Sequence, residues 1–280
     1  MPDYRGQRFG NYQLISLLAE SGYAQVYLGE QTLLKTQAAI KVLRAQLDDQ
    51  KAEQFRFEAD RIARLDHPYI ARLQHFGIEN NSPYLVTDYA SNGSLRQRHP
   101  RGIPLPVGIV VRYAQQVAEA LEYAHQQKII HRNVKPENLL VGKKNEILLS
   151  DFGIAIVTHQ APATAEDSGE ALCYIAPEQL RRRPHPSSDQ YALAVMVYEW
   201  LTGRLPFQGS ALDVARQHLE VPPPSMREPG SAFSADVERV VLRGLEKHWQ
   251  MRYPGAREFA NALHDAHFPR PPFLRNYDEE

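Results

Sequence analysis

The chain is short of the features that would tie it to a membrane, an oxidising compartment or a polyanion. Only one of its 280 residues is cysteine, Cys173, so no intrachain disulfide can form and a reducing compartment is the simplest reading. No run approaches the ~18 apolar residues of a membrane span, and the opening MPDYRGQRFG lacks the apolar core of a secretory leader. Lys and Arg number 32 against 33 Asp and Glu, a formal charge of −1, so there is no basic excess for nucleic acid or an acidic lipid surface. Repeats and low-complexity tracts are missing too. What remains is 43% hydrophobic and 23% charged, the balance of an ordinary globular protein. At roughly 150 residues per domain, the length allows one large domain or two lobes. The expectation is a globular, cytoplasmic chain with no membrane segment of its own.

Patterning divides that chain in two. Up to residue 89 it reads as β-rich, with NYQLISLLAE and YAQVYLGE flanking a turn at Ser21-Gly22 and TQAAIKVL following. One helix interrupts the strands, where Phe55, Ala59, Ile62 and Ala63 share a helical face. From residue 90 to 267 the texture is helical. Val110, Ala114, Val117, Ala118 and Leu121 keep helical spacing, and QYALAVMVYEWL, from Gln190 to Leu201, is apolar nearly all round, as in a buried helix. Residues 268–280 read as a flexible tail. The expected fold class is α+β: a small β-rich lobe with one helix, then a larger helical lobe, with the crevice between them as the default ligand site.

Three motifs then fall in order: HRNVKPENLL at 131–140, Asp151-Phe152-Gly153, and Ala176-Pro177-Glu178. Together they closely resemble the protein-kinase family, whose catalytic loop H-R-D-x-x-x-x-N precedes D-F-G and A-P-E. The resemblance covers about residues 10–265, and NLL, YIAPEQL and LTGRLPF have the character of the bacterial eukaryotic-like Ser/Thr branch. It implies a bilobal kinase fold that binds ATP and Mg²⁺. By that resemblance Lys41 holds the ATP α- and β-phosphates, and Glu58, sharing a helix face with Ile62, is its ion-pair partner. Asp151 and Asn138 hold Mg²⁺, which takes few protein ligands beside phosphate oxygens, and Lys135 sits beside the γ-phosphate. Leu18, Val26, Ala39 and Leu140 line the adenine pocket, Asp88 to Ala90 form the hinge, and Thr87 guards the back. Glu178 with Arg252, and Asp189, match structural positions of the family, and His131 matches a core position rather than a base.

The departures are as informative as the matches. The family's catalytic aspartate is Asn133 here, and an amide neither takes a proton at neutral pH nor carries negative charge. A positioned general base contributes typically 10²–10⁴-fold, or about 3–5 kcal/mol of barrier. The glycines of the phosphate-covering loop, aligned on Val26, fall at Ala19, Ser21 and Ala24, leaving only an off-pattern Gly22; glycine serves there because backbone must approach phosphate closely. The threonine before Tyr174 is Ala171. These losses together mark a degenerate kinase rather than an isolated substitution. The expected function is a pseudokinase with weakened ATP and Mg²⁺ binding that regulates a protein partner or an active kinase. The alternative is an active but weak Ser/Thr kinase transferring the γ-phosphate to protein hydroxyls. Either fits the cytoplasmic domain of a longer receptor. Thr158, Thr164 and Ser168 are equally readable as phosphorylation sites or as solvated loop, and Cys173 as a small packing residue.

Overall fold

Alternating apolar residues build a six-stranded antiparallel sheet from β1 (Arg8–Phe9), β2 (Tyr12–Glu20), β3 (Ala24–Gln31), β4 (Gln37–Leu43), β5 (Leu73–Glu79) and β6 (Ser82–Asp88), in the order β1-β2-β3-β4-β6-β5. The structure is a computed structural model and describes residues 3–79, 81–152 and 172–269. It divides into two units, Met1–Arg98 with His131–Ala171, and His99–Ile130 with Leu172–Glu280. Residues 131–152 fall in the same unit as the sheet.

Register gives the sheet two unlike faces. Tyr27, Ile40 and Val86 are directly opposed on one face, and they join Phe9, Tyr12, Leu14, Val42 and Tyr84 in a buried cluster. Phe9 meets Tyr84 edge to face at 5.4 Å. The other face carries the rows Val26–Lys41–Leu85 and Leu28–Ala39–Thr87. There Val26, Leu28, Ala39 and Thr87 are only half-buried. Helix α1 (Asp49–Ala63) starts on Asp48, whose carboxylate accepts from the Lys51 N–H at 2.8 Å. It buries Ala52, Phe55, Ala59 and Ile62, close to the face expected from spacing, and packs Phe55 on Phe76 of β5. After α2 (Leu95–Arg98), strands β7 (Leu139–Val141) and β8 (Ile147–Leu149) form a hairpin. Two backbone bonds pin it to the sheet unit, Ala71 N–H to Leu149 C=O at 3.0 Å and Leu149 N–H to Tyr69 C=O at 2.8 Å.

The second unit contains α3 (Val107–Gln126), α4 (Pro177–Leu180), α5 (Pro186–Thr202), α6 (Ala211–Glu220), α7 (Ala235–Gly244) and α8 (Ala256–His267). In α5 every residue from Ser187 to Leu201 is buried, as its all-round apolar character requires. A capping box between His185 and Ser188 opens it, and Gly203 at φ 74° ends it, where a Cβ would come within 3.1 Å of the Gly102 backbone. The Glu178–Arg252 pair forms as expected. Two nearly parallel contacts of 2.8 and 3.0 Å join them, and Arg252 also donates to the carbonyls of Ser187, Glu246 and Lys247 while Ser188 donates to Glu178. Asp189 bonds His125 Nε2 at 2.7 Å. A buried charge is tolerable only when paired and hydrogen-bonded in this way.

His218 of α6 is fully buried beside Phe207, and its Nδ1 lies 2.9 Å from the Tyr191 hydroxyl. Burial raises the Tyr191 phenol, which therefore stays protonated and donates. Burial, helped by the Lys247 charge, pulls His218 down to about 3. Its folded pKa is depressed below the ordinary ~6.5, so on acidification the unfolded chain takes up this proton first. Stability is expected to fall between pH 6.5 and about 3, by up to ~1.4 kcal/mol per pH unit from this group. Urea midpoints at pH 7, 6 and 5 for the wild type and His218→Gln check it. The variant should have the shallower pH dependence.

Candidate active site

The candidate site residues all lie in the first unit, and two of them meet. Lys41 projects from β4 on the half-buried face, directly opposite Val26 and Leu85, and is itself 8% exposed. Its amine lies 2.7 Å from Asp151 Oδ2, two residues beyond β8. Burial alone would pull the amine down, but the Asp151 carboxylate holds it above its ordinary value. Burial alone would likewise raise Asp151, yet the Lys41 charge, with Lys135 adding to the field, holds it below the usual carboxylate range. Both groups are therefore charged at neutral pH. The pair's contribution is present across that window and is lost on acidification through the Asp151 pKa or on alkalinisation through that of Lys41.

The loop before Asp151 is held by its own buried polar groups. His131 is fully buried; its Nε2 donates to the Ser150 carbonyl at 2.8 Å, and its Nδ1 accepts from the Asn133 N–H at 3.2 Å. Its ring packs edge-on against Phe152 at 4.5 Å. Both nitrogens are committed, which agrees with a core role and not a base. The Asn138 side-chain amide donates to the Asn133 carbonyl at 2.7 Å, and the Asn138 carbonyl accepts from the Ser150 N–H and hydroxyl. Asn133 is thus fixed through its backbone on both sides. Asp151 and Arg132 both adopt φ 65°, a left-handed conformation uncommon outside glycine and frequent at functional sites.

The expected Lys41–Glu58 ion pair is not formed. Glu58 pairs with Arg61 at 3.2 Å, one turn along α1, while the Lys41 amine is held by Asp151 and lies over the Tyr23 ring at 5.1 Å. Spacing explains the exchange, since residues three apart on a helix are neighbours. Arg61 and Tyr23 were both missed in the sequence. The first left a readable i,i+3 signal, and the second left none. Of the remaining residues, Val26 and Ala39 share the Lys41 face, and Thr87 lies opposite Ala39. Leu18 on β2 is exposed, Leu140 on β7 is bridged to Ser94, and the Ala90 carbonyl accepts from Gly93. The Asp88 carboxylate binds the Arg72 N–H at 3.1 Å and Gln74 Nε2 at 2.7 Å. Gly153, Thr158, Thr164, Ser168 and Ala171 lie outside the described residues.

The donor set would suit Mg²⁺. Asn138 Nδ2 is committed to Asn133, which leaves its oxygen, with the Asp151 carboxylate, as hard ligands of the kind Mg²⁺ takes when phosphates supply the others.

A family profile described as the protein kinase domain matches residues 12–262. The chain belongs to the protein kinase family. It is 34% identical over 254 residues to serine/threonine-protein kinase PrkC of Bacillus subtilis, covering 89% of this chain and 39% of that protein. It is 36% identical over 274 residues to serine/threonine-protein kinase PknB of Mycobacterium leprae, covering 93% of this chain and 44% of that one. The crystal structure of a mutant PknI kinase domain from Mycobacterium tuberculosis superposes with a TM-score of 0.75 at 29% identity, covering 95% of this chain and 99% of the other. The kinase domain therefore spans about two-fifths of the length of these curated relatives. Among its described residues no helix is long and apolar enough to cross a membrane.

The grip of Arg61 on Glu58 is a partly exposed i,i+3 pair, of a kind contributing about 0.2–0.5 kcal/mol. Arg61→Ala should therefore change the Mg·ATP dissociation constant by no more than about twofold. Titration calorimetry checks this, and a tenfold change would identify the pair as the element controlling the site.

Proposed function

We propose that this kinase domain keeps a Mg·ATP site but transfers phosphate slowly or not at all, and that it regulates a protein partner through its conformation. The single observation that carries the reading is Asn133, whose backbone is held by His131 and Asn138 while its side chain is an amide. In the family mechanism a carboxylate at this place accepts and orients the substrate hydroxyl. An amide supplies neither the proton acceptor nor the charge. Lys41 takes the α- and β-phosphates, Asp151 and Asn138 take Mg²⁺, and Lys135 faces the γ-phosphate. Leu18, Val26, Ala39 and Leu140 enclose the adenine, with Thr87 behind it and Asp88 to Ala90 as hinge. The separation of Glu58 from Lys41 supports a domain at rest, whose assembly a partner controls.

A second reading, a slow Ser/Thr kinase, is favoured by the survival of Lys41, Lys135, Asn138 and Asp151. Phosphoryl transfer rests mostly on positioning and electrostatics, which those residues supply.

Single-turnover γ-phosphate transfer separates the two. The wild type should lie well below the ~1–100 s⁻¹ of ordinary kinases, and turnover within that range would refute the first reading. Asn133→Asp alone should not restore it, because it replaces only the ~3–5 kcal/mol general-base contribution. Adding Ala171→Thr and glycines for Ala19, Ser21 and Ala24 should raise the rate more than the separate changes combined, since groups acting as a unit are non-additive. Thermal unfolding tests the nucleotide site separately. Mg·ATP at a hundred times its Kd should stabilise the fold by ~2.7 kcal/mol, and an unshifted transition at millimolar nucleotide would leave a scaffold only.

A further inference from the structure

The connection between β2 and β3 lacks the glycines of the family pattern and is instead closed by side chains. The Ser21 N–H donates to the Ala24 carbonyl at 2.9 Å, and the Ser21 hydroxyl accepts from the Ala24 N–H at 3.2 Å. Arg44, just past β4, braces the same turn. Its N–H donates to the Tyr23 carbonyl at 2.8 Å, its guanidinium reaches the Gly22 carbonyl at 3.4 Å, and it is ion-paired with Glu20. The backbone on both sides of Tyr23 is therefore fixed. Its ring is delivered over the Lys41 amine at 5.1 Å, within the range of a cation–π contact.

That amine is the group the nucleotide must reach. One side of it is taken by Asp151 at 2.7 Å, and the ring stands over another. A phosphate oxygen bonding an ammonium needs about 2.7–2.9 Å, with the rest of the phosphate stacked beyond it. A ring centred 5.1 Å from the nitrogen fills that approach.

We infer that Tyr23 is a built-in competitor of the nucleotide polyphosphate, a ring that covers Lys41 until phosphate displaces it. The inference rests on the Mg·ATP-site reading above and adds the element that sets its affinity. Because the ring meets the amine and not the adenine pocket, it discriminates by ligand chemistry. Ligands with a polyphosphate must move the ring; adenosine need not. The contact uses the face of the ring, so the hydroxyl is dispensable.

The test is calorimetric titration of the wild type, Tyr23→Ala and Tyr23→Phe with Mg·ATP and with adenosine, each variant first shown to unfold at the wild-type temperature. Tyr23→Ala is expected to tighten Mg·ATP about tenfold, equivalent to about 1.4 kcal/mol, and to leave adenosine within about twofold. Tyr23→Phe should match the wild type. Unchanged or weaker Mg·ATP binding by Tyr23→Ala, or equal gains for ATP and adenosine, would overturn the inference. The rate at which a small acylating ester labels the Lys41 amine, read by mass spectrometry, gives an arm without nucleotide. Tyr23→Ala should label several-fold faster than the wild type and Tyr23→Phe at the wild-type rate; equal rates in all three would overturn the cover. If no variant binds either ligand while labelling rises as expected, the ring cover stands and the nucleotide-site reading fails.

Discussion

A lysine that is only 8% exposed must find negative charge, and in this domain Lys41 finds it in Asp151, 110 residues along the chain. Much of the first unit is arranged to make that meeting possible. The pairing of β3, β4 and β6 places Lys41 on the half-buried face. The β7–β8 hairpin, pinned at Tyr69 and Ala71, carries Asp151 to it, and the left-handed backbone at Asp151 turns the carboxylate toward the amine. His131 and Asn138 hold the preceding loop with bonds of 2.8 and 2.7 Å. Each of these features would be hard to explain without the others.

Two of the interior ion pairs among the described residues differ in how fully they are committed. Arg252 spends its donors on Glu178 and three backbone carbonyls, and Glu178 receives Ser188 as well, so nothing is left for a third party. Removing one member of such a pair strands a buried charge, which typically costs 3–5 kcal/mol. Lys41 and Asp151 share one contact, and Asp151 keeps 28% of its side chain exposed. The first pair is closed on every side by its neighbours, and the second is not.

Much of this was legible in the chain itself. The apolar face of Phe55, Ala59 and Ile62 and the all-round apolar run ending at Leu201 marked α1 and α5, because burial requires those periods. The motif residues Lys41, Asn138 and Asp151 stood out by family resemblance, and of these Lys41 and Asp151 are in direct contact at 2.7 Å. What was not legible depends on choices among partners. Glu58 had Arg61 and Lys41 within reach of a reasonable reading, and spacing alone does not rank a neighbour on the same helix against a strand residue. Tyr23 is an aromatic in a turn, with no periodicity to expose its target. The grouping of residues 131–152 with the sheet includes the parallel bridge between Ile70 and Leu149, a long-range pairing that no local pattern announces.

The two unlike faces of the sheet bear on how such a domain changes over evolutionary time. Truncating a side chain in the Phe9–Tyr27–Tyr84 cluster removes packed volume, at 2–5 kcal/mol for typical core truncations. Changes at exposed positions such as Leu18 and Ala19 fall within about ±0.5 kcal/mol. Selection for folding therefore guards the aromatic face and bears lightly on the exposed end of β2. A lineage can vary residues at that strand end while its scaffold stays under full thermodynamic protection.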